Sequence, residues 1–195
     1  MQLVLAAALS ALAGYLMGSV PVAVMVSRRY GFDPRSVGER NPGTTNVWRL
    51  AGARAGIVVL ALDVAKGAFA AVLGFTIGGW WAAAAASVGA IIGHAWPVWS
   101  RFRFGGRAVA TFIGAGSILA PLPALVGWLV FGLLVLPIGL RRAIAVGILM
   151  FPVAFAVLEP DRLKLVPVGF AYLVVAIRSR SSFSAASVQR PAARQ

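Results

Sequence analysis

The chain of 195 residues is both apolar and basic: 60% of its residues are hydrophobic, 18 are Lys or Arg, and only 5 are Asp or Glu. A water-soluble fold of this size needs a charged surface, which so few acidic residues cannot supply, and the mean hydropathy is +0.88. Because there is no Cys, disulfide frameworks, zinc–thiolate clusters and cysteine nucleophiles are excluded. The composition therefore predicts an integral membrane protein with basic loops.

Seven apolar segments follow one another along the chain, and we expect an all-α integral membrane protein with about seven transmembrane helices. The first segment is long enough to cross a hydrocarbon core of roughly 30 Å. We divide 108–140 at Pro121 and Pro123, because proline interrupts a helix and favours the start of another. The segments are 2–26, 55–77, 80–99, the two parts of 108–140, 143–158 and 165–177. Residues 1–177 are then one transmembrane domain, and the basic residues 178–195 are expected to be a disordered cytoplasmic tail.

The distribution of basic residues sets the expected orientation. With the N-terminus outside and the C-terminus in the cytoplasm, every Lys and Arg lies on the cytoplasmic side except Lys66, Arg162 and Lys164. This is the bias that membrane insertion imposes on short loops. It accounts for the net charge of +13 without nucleic-acid binding.

The first polar cluster lies in the loop at 38–46, on the expected cytoplasmic face. Glycine and proline shape a tight turn there, and Thr44, Thr45 and Asn46 are suitable N-caps for a short amphipathic helix. A helix start followed one turn later by Arg49 can bind an anion. An ordinary capped helix at the membrane interface is the other interpretation, and composition alone leaves both open.

The second polar cluster precedes the fourth apolar segment. Gly105 and Gly106 lie between Arg103 and Arg107, so the backbone can approach a ligand closely while two guanidiniums hold a phosphate. The alternative is a basic cytoplasmic loop that only flanks a helix.

The remaining polar candidates lie within the apolar segments. Asp63 and Lys66 are spaced i,i+3, so we expect them to pair or to line a polar cavity, with an ion path as the alternative. His94 is the only histidine, and a packed histidine is its simpler interpretation. The sequence has no Ser-His-Asp arrangement, HxxxxD box or carboxylate pair, so we expect neither a metal nor a cofactor. Catalysis would rest on positioning and electrostatic stabilisation.

In chain order, these motifs resemble the bacterial acyl-phosphate:glycerol-3-phosphate acyltransferases, the PlsY family. The loop at 38–49 is similar to GSGNxGATNxxR, residues 63–67 match DxxKG, and residues 93–111 are similar to GHxxPxxxxFKGGKGVAT. The resemblance also includes Gly18-Ser-Val-Pro21 and Asp33-Pro-Arg35, and it covers roughly residues 15–111.

The resemblance implies transfer of a fatty acyl group from acyl phosphate to the 1-hydroxyl of glycerol 3-phosphate, which forms lysophosphatidic acid. The implied partners are both substrates, membrane lipid and further enzymes of phospholipid synthesis. The implied location is the bacterial inner membrane, with the active face in the cytoplasm. The resemblance implies three groups of site residues: Asn41, Thr45 and Asn46 as catalytic residues; Arg49, Gly105, Gly106 and Arg107 as phosphate ligands; and Asp63, Lys66 and His94 in support.

The sequence also departs from the family pattern. Glu39 stands in the place of the family serine, Arg107 in the place of a lysine, and Ala108 in the place of a glycine. The terminal RHRxN motif reads Arg178-Ser-Arg-Ser-Ser182, without its histidine and asparagine. Two alternatives therefore stay open: a non-catalytic or altered-substrate paralogue that binds lipid precursors, and a small transporter that uses Asp63 and Lys66.

Overall fold

The computed structural model describes residues 1–187, with side chains throughout that range except at 140, 141 and 180–187. The described residues form helices and connecting loops, without a strand. The helices are α1 (Gln2–Ser19), α2 (Val22–Arg28), α3 (Thr44–Ala95), α4 (Val109–Leu119), α5 (Pro121–Ile138), α6 (Leu140–Leu158) and α7 (Leu165–Ser187). Two 3-10 turns, Val98–Ser100 and Arg162–Lys164, lie in the connections.

Helix α3 is three helical segments joined at glycines. Its backbone leaves the helical region at Gly52 (φ 85°), Gly78 and Gly79 (φ 69°). A positive φ is easily adopted only by glycine, so these residues set the kinks. The segments are α3a (44–51), α3b (53–77) and α3c (80–95). They confirm the short helix after the first polar loop and the helical parts of the predicted segments 55–77 and 80–99.

The sequence locates most of the other helices as well. The division at Pro121 is confirmed, since α4 ends at Leu119 and α5 begins at Pro121. Three stretches are long and apolar enough to cross a membrane: Gln2–Arg28, Thr44–Ser100 and Pro121–Ile138. Val109–Leu119 and Arg142–Leu158 are shorter apolar helices.

Two segments differ in detail from the expectation. The first segment is not one continuous helix, because Val20 adopts an extended conformation before Pro21, whose ring cannot continue the hydrogen-bond ladder of α1. At the other end, α7 continues to Ser187, although the disordered tail was predicted to start at residue 178. No Gly or Pro occurs between 178 and 187 to stop the helix. Residues 188–195 of the predicted tail lie outside the described residues.

Small residues bring α1 and α3c into backbone contact. A Cβ added at Gly14 would lie 2.0 Å from the carbonyl oxygen of Ala86, and one at Gly93 would lie 2.1 Å from that of Tyr15. Close approach through glycines is the usual way in which helices pack within a membrane. Helix α4 packs against α3b in the same way, through Gly67. A larger apolar core, which includes Phe112, joins α3c and α4 to α6 and α7.

This packing gathers the polar loops at one end of the helix bundle. The Tyr15 hydroxyl donates to the carbonyl of Trp96 at 3.0 Å, and the Ser19 hydroxyl accepts from the N–H of Val98 at 3.4 Å. The break between α1 and α2 thus lies beside the loop that follows α3c. The candidate site is built where these two loops meet the polar loop before α3a.

Candidate active site

The loop before α3a is held in shape by Asn46. Its side-chain amide donates to the carbonyls of Pro34 (3.0 Å) and Val37 (3.1 Å), and its Oδ1 accepts from the N–H of Glu39 (2.9 Å). Asn46 is 1% exposed. Its side-chain amide therefore holds the loop in shape. The expected N-cap role was wrong, because Gly43 caps α3 and no side chain bonds to the helix start.

An ion pair also stiffens the same loop. The Arg35 guanidinium donates to both carboxylate oxygens of Asp33, with Nη2 and Oδ2 2.6 Å apart. These side-chain hydrogen bonds lower the pKa of Asp33 from its ordinary value. The carboxylate is therefore charged at neutral pH and keeps Arg35 directed along the loop.

Two arginines from different loops meet on one carboxylate. Nη2 of Arg107 donates to Oε2 of Glu39 at 3.0 Å, and Nη1 of Arg49 donates to Oε1 of the same side chain. The Glu39 and Arg107 side chains are 14% and 20% exposed, whereas that of Arg49 is 51% exposed. We call Arg49 and Arg107 the arginine clamp. The structure brings together the two arginines that the sequence singled out, and an anionic group lies between them.

The loop that carries Gly105 and Gly106, here called the glycine loop, is packed against the end of α3c. The N–H of Gly106 donates to the His94 carbonyl at 3.1 Å. A Cβ at Gly105 would lie 2.1 Å from the carbonyl oxygen of Ala95, and one at Gly106 would lie 2.2 Å from Nε2 of His94. A larger residue at either position would therefore clash with protein atoms, whether or not a ligand binds beside the loop.

Arg178 of α7 holds the glycine loop from its other side. Its Nη2 donates to the carbonyl of Gly105 at 2.5 Å and its Nε to that of Gly106 at 3.3 Å. Its guanidinium also lies 5.5 Å from the ring centre of Trp96. Sequence reasoning missed this role, because Arg178 was assigned to the tail. The available signal was its place as the first arginine of the RHRxN-like segment.

A buried polar cluster lies beneath the glycine loop. The predicted pairing of Asp63 with Lys66 is confirmed, with Oδ1 and Nζ 2.9 Å apart. Nδ1 of His94 lies 3.0 Å from the hydroxyl oxygen of Thr111 and 3.6 Å from Oδ1 of Asp63. Lys66 also donates to the carbonyl of Val20 at 3.3 Å. The cluster links α3b, α3c and α4 to the break after α1, and Thr111 is a member that the sequence did not single out.

A cavity of about 220 Å³ lies between the α1–α2 break, the buried polar cluster and the glycine loop. Its wall includes the cationic side chains of Arg28, Arg35 and Lys66, of which Arg35 is paired with Asp33 and Lys66 with Asp63. Sequence reasoning did not select the two arginines, because they read as ordinary cytoplasmic loop residues. Other predicted site residues in the wall are Asp63, His94, Gly105 and Gly106.

Not every predicted site residue lines this cavity. Asn41 is 7% exposed and lies next to the wall residue Pro42, whereas the side chain of Thr45 is exposed. The arginine clamp adjoins the cavity through Gly106, which precedes Arg107 and forms part of the wall. Among residues 1–187, no group of three or more His, Cys, Asp or Glu side chains could hold a metal ion.

Known proteins are similar to this chain in sequence. The sequence model of the family described as Glycerol-3-phosphate acyltransferase matches residues 8–186. A Glycerol-3-phosphate acyltransferase of Rubrobacter xylanophilus is 46% identical over 111 residues, which are 56% of this chain and 55% of that protein. One of Synechococcus sp. (strain JA-3-3Ab) is 40% identical over 151 residues, 77% of this chain and 72% of that protein. The chain thus spans little more than half the length of the Rubrobacter relative.

Solved structures resemble the whole fold. The crystal structure of PlsY, an integral membrane glycerol 3-phosphate acyltransferase, in its glycerol 3-phosphate form is 26% identical with a TM-score of 0.83. That match covers 95% of this chain and 96% of that one. The lysophosphatidic acid form is 25% identical with a TM-score of 0.80, over 93% and 92% of the two chains. Since the family model spans nearly all of the described helices, and both loops of the arginine clamp lie inside it, the chain belongs to the glycerol-3-phosphate acyltransferase family.

Proposed function

We propose that the chain transfers a fatty acyl group from acyl phosphate to the 1-hydroxyl of glycerol 3-phosphate, forming lysophosphatidic acid and inorganic phosphate. The observation that carries the proposal is the arginine clamp on one carboxylate. Two guanidiniums that converge on one anionic group can also hold a phosphate. A family member that carries this arrangement beside a basic cavity is suited to join two phosphate-bearing substrates.

The proposed reaction needs alignment more than a strong nucleophile. Acyl phosphate is a mixed anhydride, so the 1-hydroxyl oxygen bonds to its carbonyl carbon while the bond from that carbon to the phosphate oxygen breaks. The arginine clamp would hold the phosphate of glycerol 3-phosphate, and Arg28, Arg35 and Lys66 would face the phosphate of the donor in the cavity. Fixing two reactants together in this way can supply much of a rate enhancement.

The hydroxyl proton also needs an acceptor. Asp63 is paired with Lys66. The Nδ1 atom of His94 is engaged with Thr111. We assign a phosphate oxygen of a bound substrate as the base, because the reaction brings one beside the hydroxyl, and the departing phosphate carries the proton away. On this assignment Asn46 and Arg178 are positioning residues, which act by holding the two loops.

We also propose seven membrane spans, with the N-terminus outside and the site on the cytoplasmic side of the bacterial inner membrane. The arginines at 28, 35, 49 and 107 collect at the end of the bundle that carries the site, as the positive-inside bias requires. The acyl chain would lie between helices, open to lipid. Other enzymes of phospholipid synthesis remain proposed partners that consume the product.

The test is acyl transfer by the purified full-length chain, expressed in a host that lacks its own enzyme. Palmitoyl phosphate and labelled glycerol 3-phosphate should give labelled lysophosphatidic acid and one inorganic phosphate per product, and palmitoyl-CoA should not replace the donor. Arg107→Ala should lower turnover at least about a hundredfold, as expected when a charged group that positions a substrate is lost. Glu159→Gln, in a surface ion pair with Lys164, should leave turnover unchanged. Folded protein that forms no product with either donor refutes the proposal and favours a non-catalytic paralogue.

A further inference from the structure

We infer that Glu39 is an internal competitor for the acceptor phosphate: its carboxylate occupies the arginine clamp and must leave before the phosphate binds. The inference rests on the proposed function, because it assigns the clamp to the phosphate of glycerol 3-phosphate. It concerns a position at which this chain departs from the family pattern, where a neutral serine is replaced by an acid.

The backbone holds the Glu39 carboxylate in place. The N–H of Glu39 is fixed by Oδ1 of the buried Asn46, and both neighbouring residues have left-handed backbones, Gly38 with φ 62° and Arg40 with φ 51°. A left-handed residue other than glycine is uncommon and costs free energy. Glu39 is therefore carried on a defined turn, and its carboxylate is presented to the clamp at a high effective concentration.

Charge prevents the carboxylate and a phosphate from sharing the clamp. Two guanidiniums carry two positive charges, and Glu39 already neutralises one of them. A phosphate dianion at the same donors would lie within a few ångströms of the carboxylate, where like charges repel strongly in a site of reduced dielectric. Arg49, one of the two partners of the carboxylate, is half exposed, so the clamp borders solvent on that side. Displacement of Glu39 into solvent therefore accompanies phosphate binding and lowers the affinity for the acceptor.

The direct test is calorimetric binding of two anions to the full chain in detergent, namely inorganic phosphate and glycerol 3-phosphate. In Glu39→Gln, which keeps the size but removes the charge, we expect both dissociation constants to fall about three- to tenfold. This is the range that the loss of one or two partly exposed ion pairs spans. In turnover, KM for glycerol 3-phosphate should fall by the same factor, with kcat and KM for palmitoyl phosphate within about twofold.

Glu159→Gln is the matched control. Glu159 is paired with Lys164 at 3.1 Å, its side chain is 19% exposed against 14% for Glu39, and its removal changes the net charge equally. It lies before α7, roughly 20 Å from Arg178 along the helix. Anion binding should not change in this variant. An equal gain in both variants would mean that net charge alone is responsible, and would overturn the inference.

A double variant separates competition from support of the clamp. In an Arg107→Ala background, Glu39→Gln should raise phosphate affinity less than about twofold, because half of the clamp is gone. If Glu39→Gln weakens phosphate binding in the otherwise unchanged chain, Glu39 orients the arginines and the inference is wrong. Absence of anion binding by both the unchanged chain and Glu39→Gln also overturns it.

The two proposals fail separately. If the chain transfers the acyl group but Glu39→Gln does not bind anions more tightly, the proposed function is supported and the inference that Glu39 competes is refuted. If Glu39→Gln binds anions more tightly but the chain transfers no acyl group, the inference that Glu39 competes is supported and the proposed function is refuted. Glu39→Ser is the second variant, should glutamine itself bind the arginines, and the expected direction is the same.

Discussion

Gly105→Ala tests the packing of the glycine loop against the end of α3c. The added Cβ would lie 2.1 Å from the carbonyl oxygen of Ala95 and 2.6 Å from that of His94, and both atoms belong to backbone that cannot rotate away. Overpacking of this kind costs about 1–3 kcal/mol. The loop would have to shift, which also removes the hydrogen bond from Gly106 to His94, worth about 1 kcal/mol. We therefore expect a loss of about 2–4 kcal/mol in the free energy of unfolding.

The assay is thermal unfolding in detergent together with acyl transfer. A loss of this size lowers the unfolding temperature by about 5–15 °C for a chain of this length. A shift of about 1 Å in the loop should lower kcat about a hundredfold. Gly132→Ala in α5, where a Cβ meets nothing within 4 Å, is the control and should leave both quantities unchanged or slightly raise the unfolding temperature. If Gly105→Ala behaves like Gly132→Ala, the loop does not pack as described.

Three further experiments test other contacts of the site. Arg178→Lys keeps the charge but not the two fixed donors to the glycine-loop carbonyls, so kcat should fall about tenfold, and an unchanged kcat would contradict the positioning role. Asp63→Asn should lower the free energy of unfolding, measured with denaturant, by about 3–5 kcal/mol, because it leaves Lys66 without its buried partner. Adding Lys66→Met should recover part of this loss, and a double variant without any recovery would contradict the buried pair. Because Arg35 lowers the pKa of Asp33, the stability that Asp33 contributes is present at neutral pH and lost only as the pH falls below the ordinary aspartate range. The difference in unfolding temperature between the unchanged chain and Asp33→Asn should therefore be constant from about pH 8 to 5 and shrink only as the pH falls below the ordinary aspartate pKa of about 3.9, whereas a loss already near pH 6 would contradict the lowered pKa.

The helices were largely predictable, because hydropathy and helix-breaking residues are local properties. Uncharged runs marked the apolar helices, and Pro121 marked the division between α4 and α5. The errors came from competing local effects. A long apolar run hid the break at Pro21, and a basic, serine-rich composition suggested disorder where α7 continues to Ser187.

The site was predictable only as a set of loops. Motif order identified the segments around Asn46, Asp63 and Gly105, and charge spacing predicted the pair of Asp63 with Lys66. The sequence could not show that Asn46 bonds to the backbone of its own loop, or that Arg178 reaches the glycine loop. The first contact depends on the three-dimensional course of the loop before α3a, and the second on how α7 packs against a loop 72 residues earlier in the chain.

The polar residues of the site divide by what they contact. Asn46 and Arg178 use their hydrogen-bonding groups on backbone groups of the two loops, whereas Arg49 and Arg107 use theirs on a charged side chain that a ligand can replace. Buried backbone groups must find partners, so loss of a residue of the first kind disorders a loop and lowers stability and kcat together. Loss of a residue of the second kind removes an anion contact, so anion affinity and turnover should fall while the unfolding temperature changes less. The contact partner of each polar side chain therefore predicts which of these quantities its substitution changes.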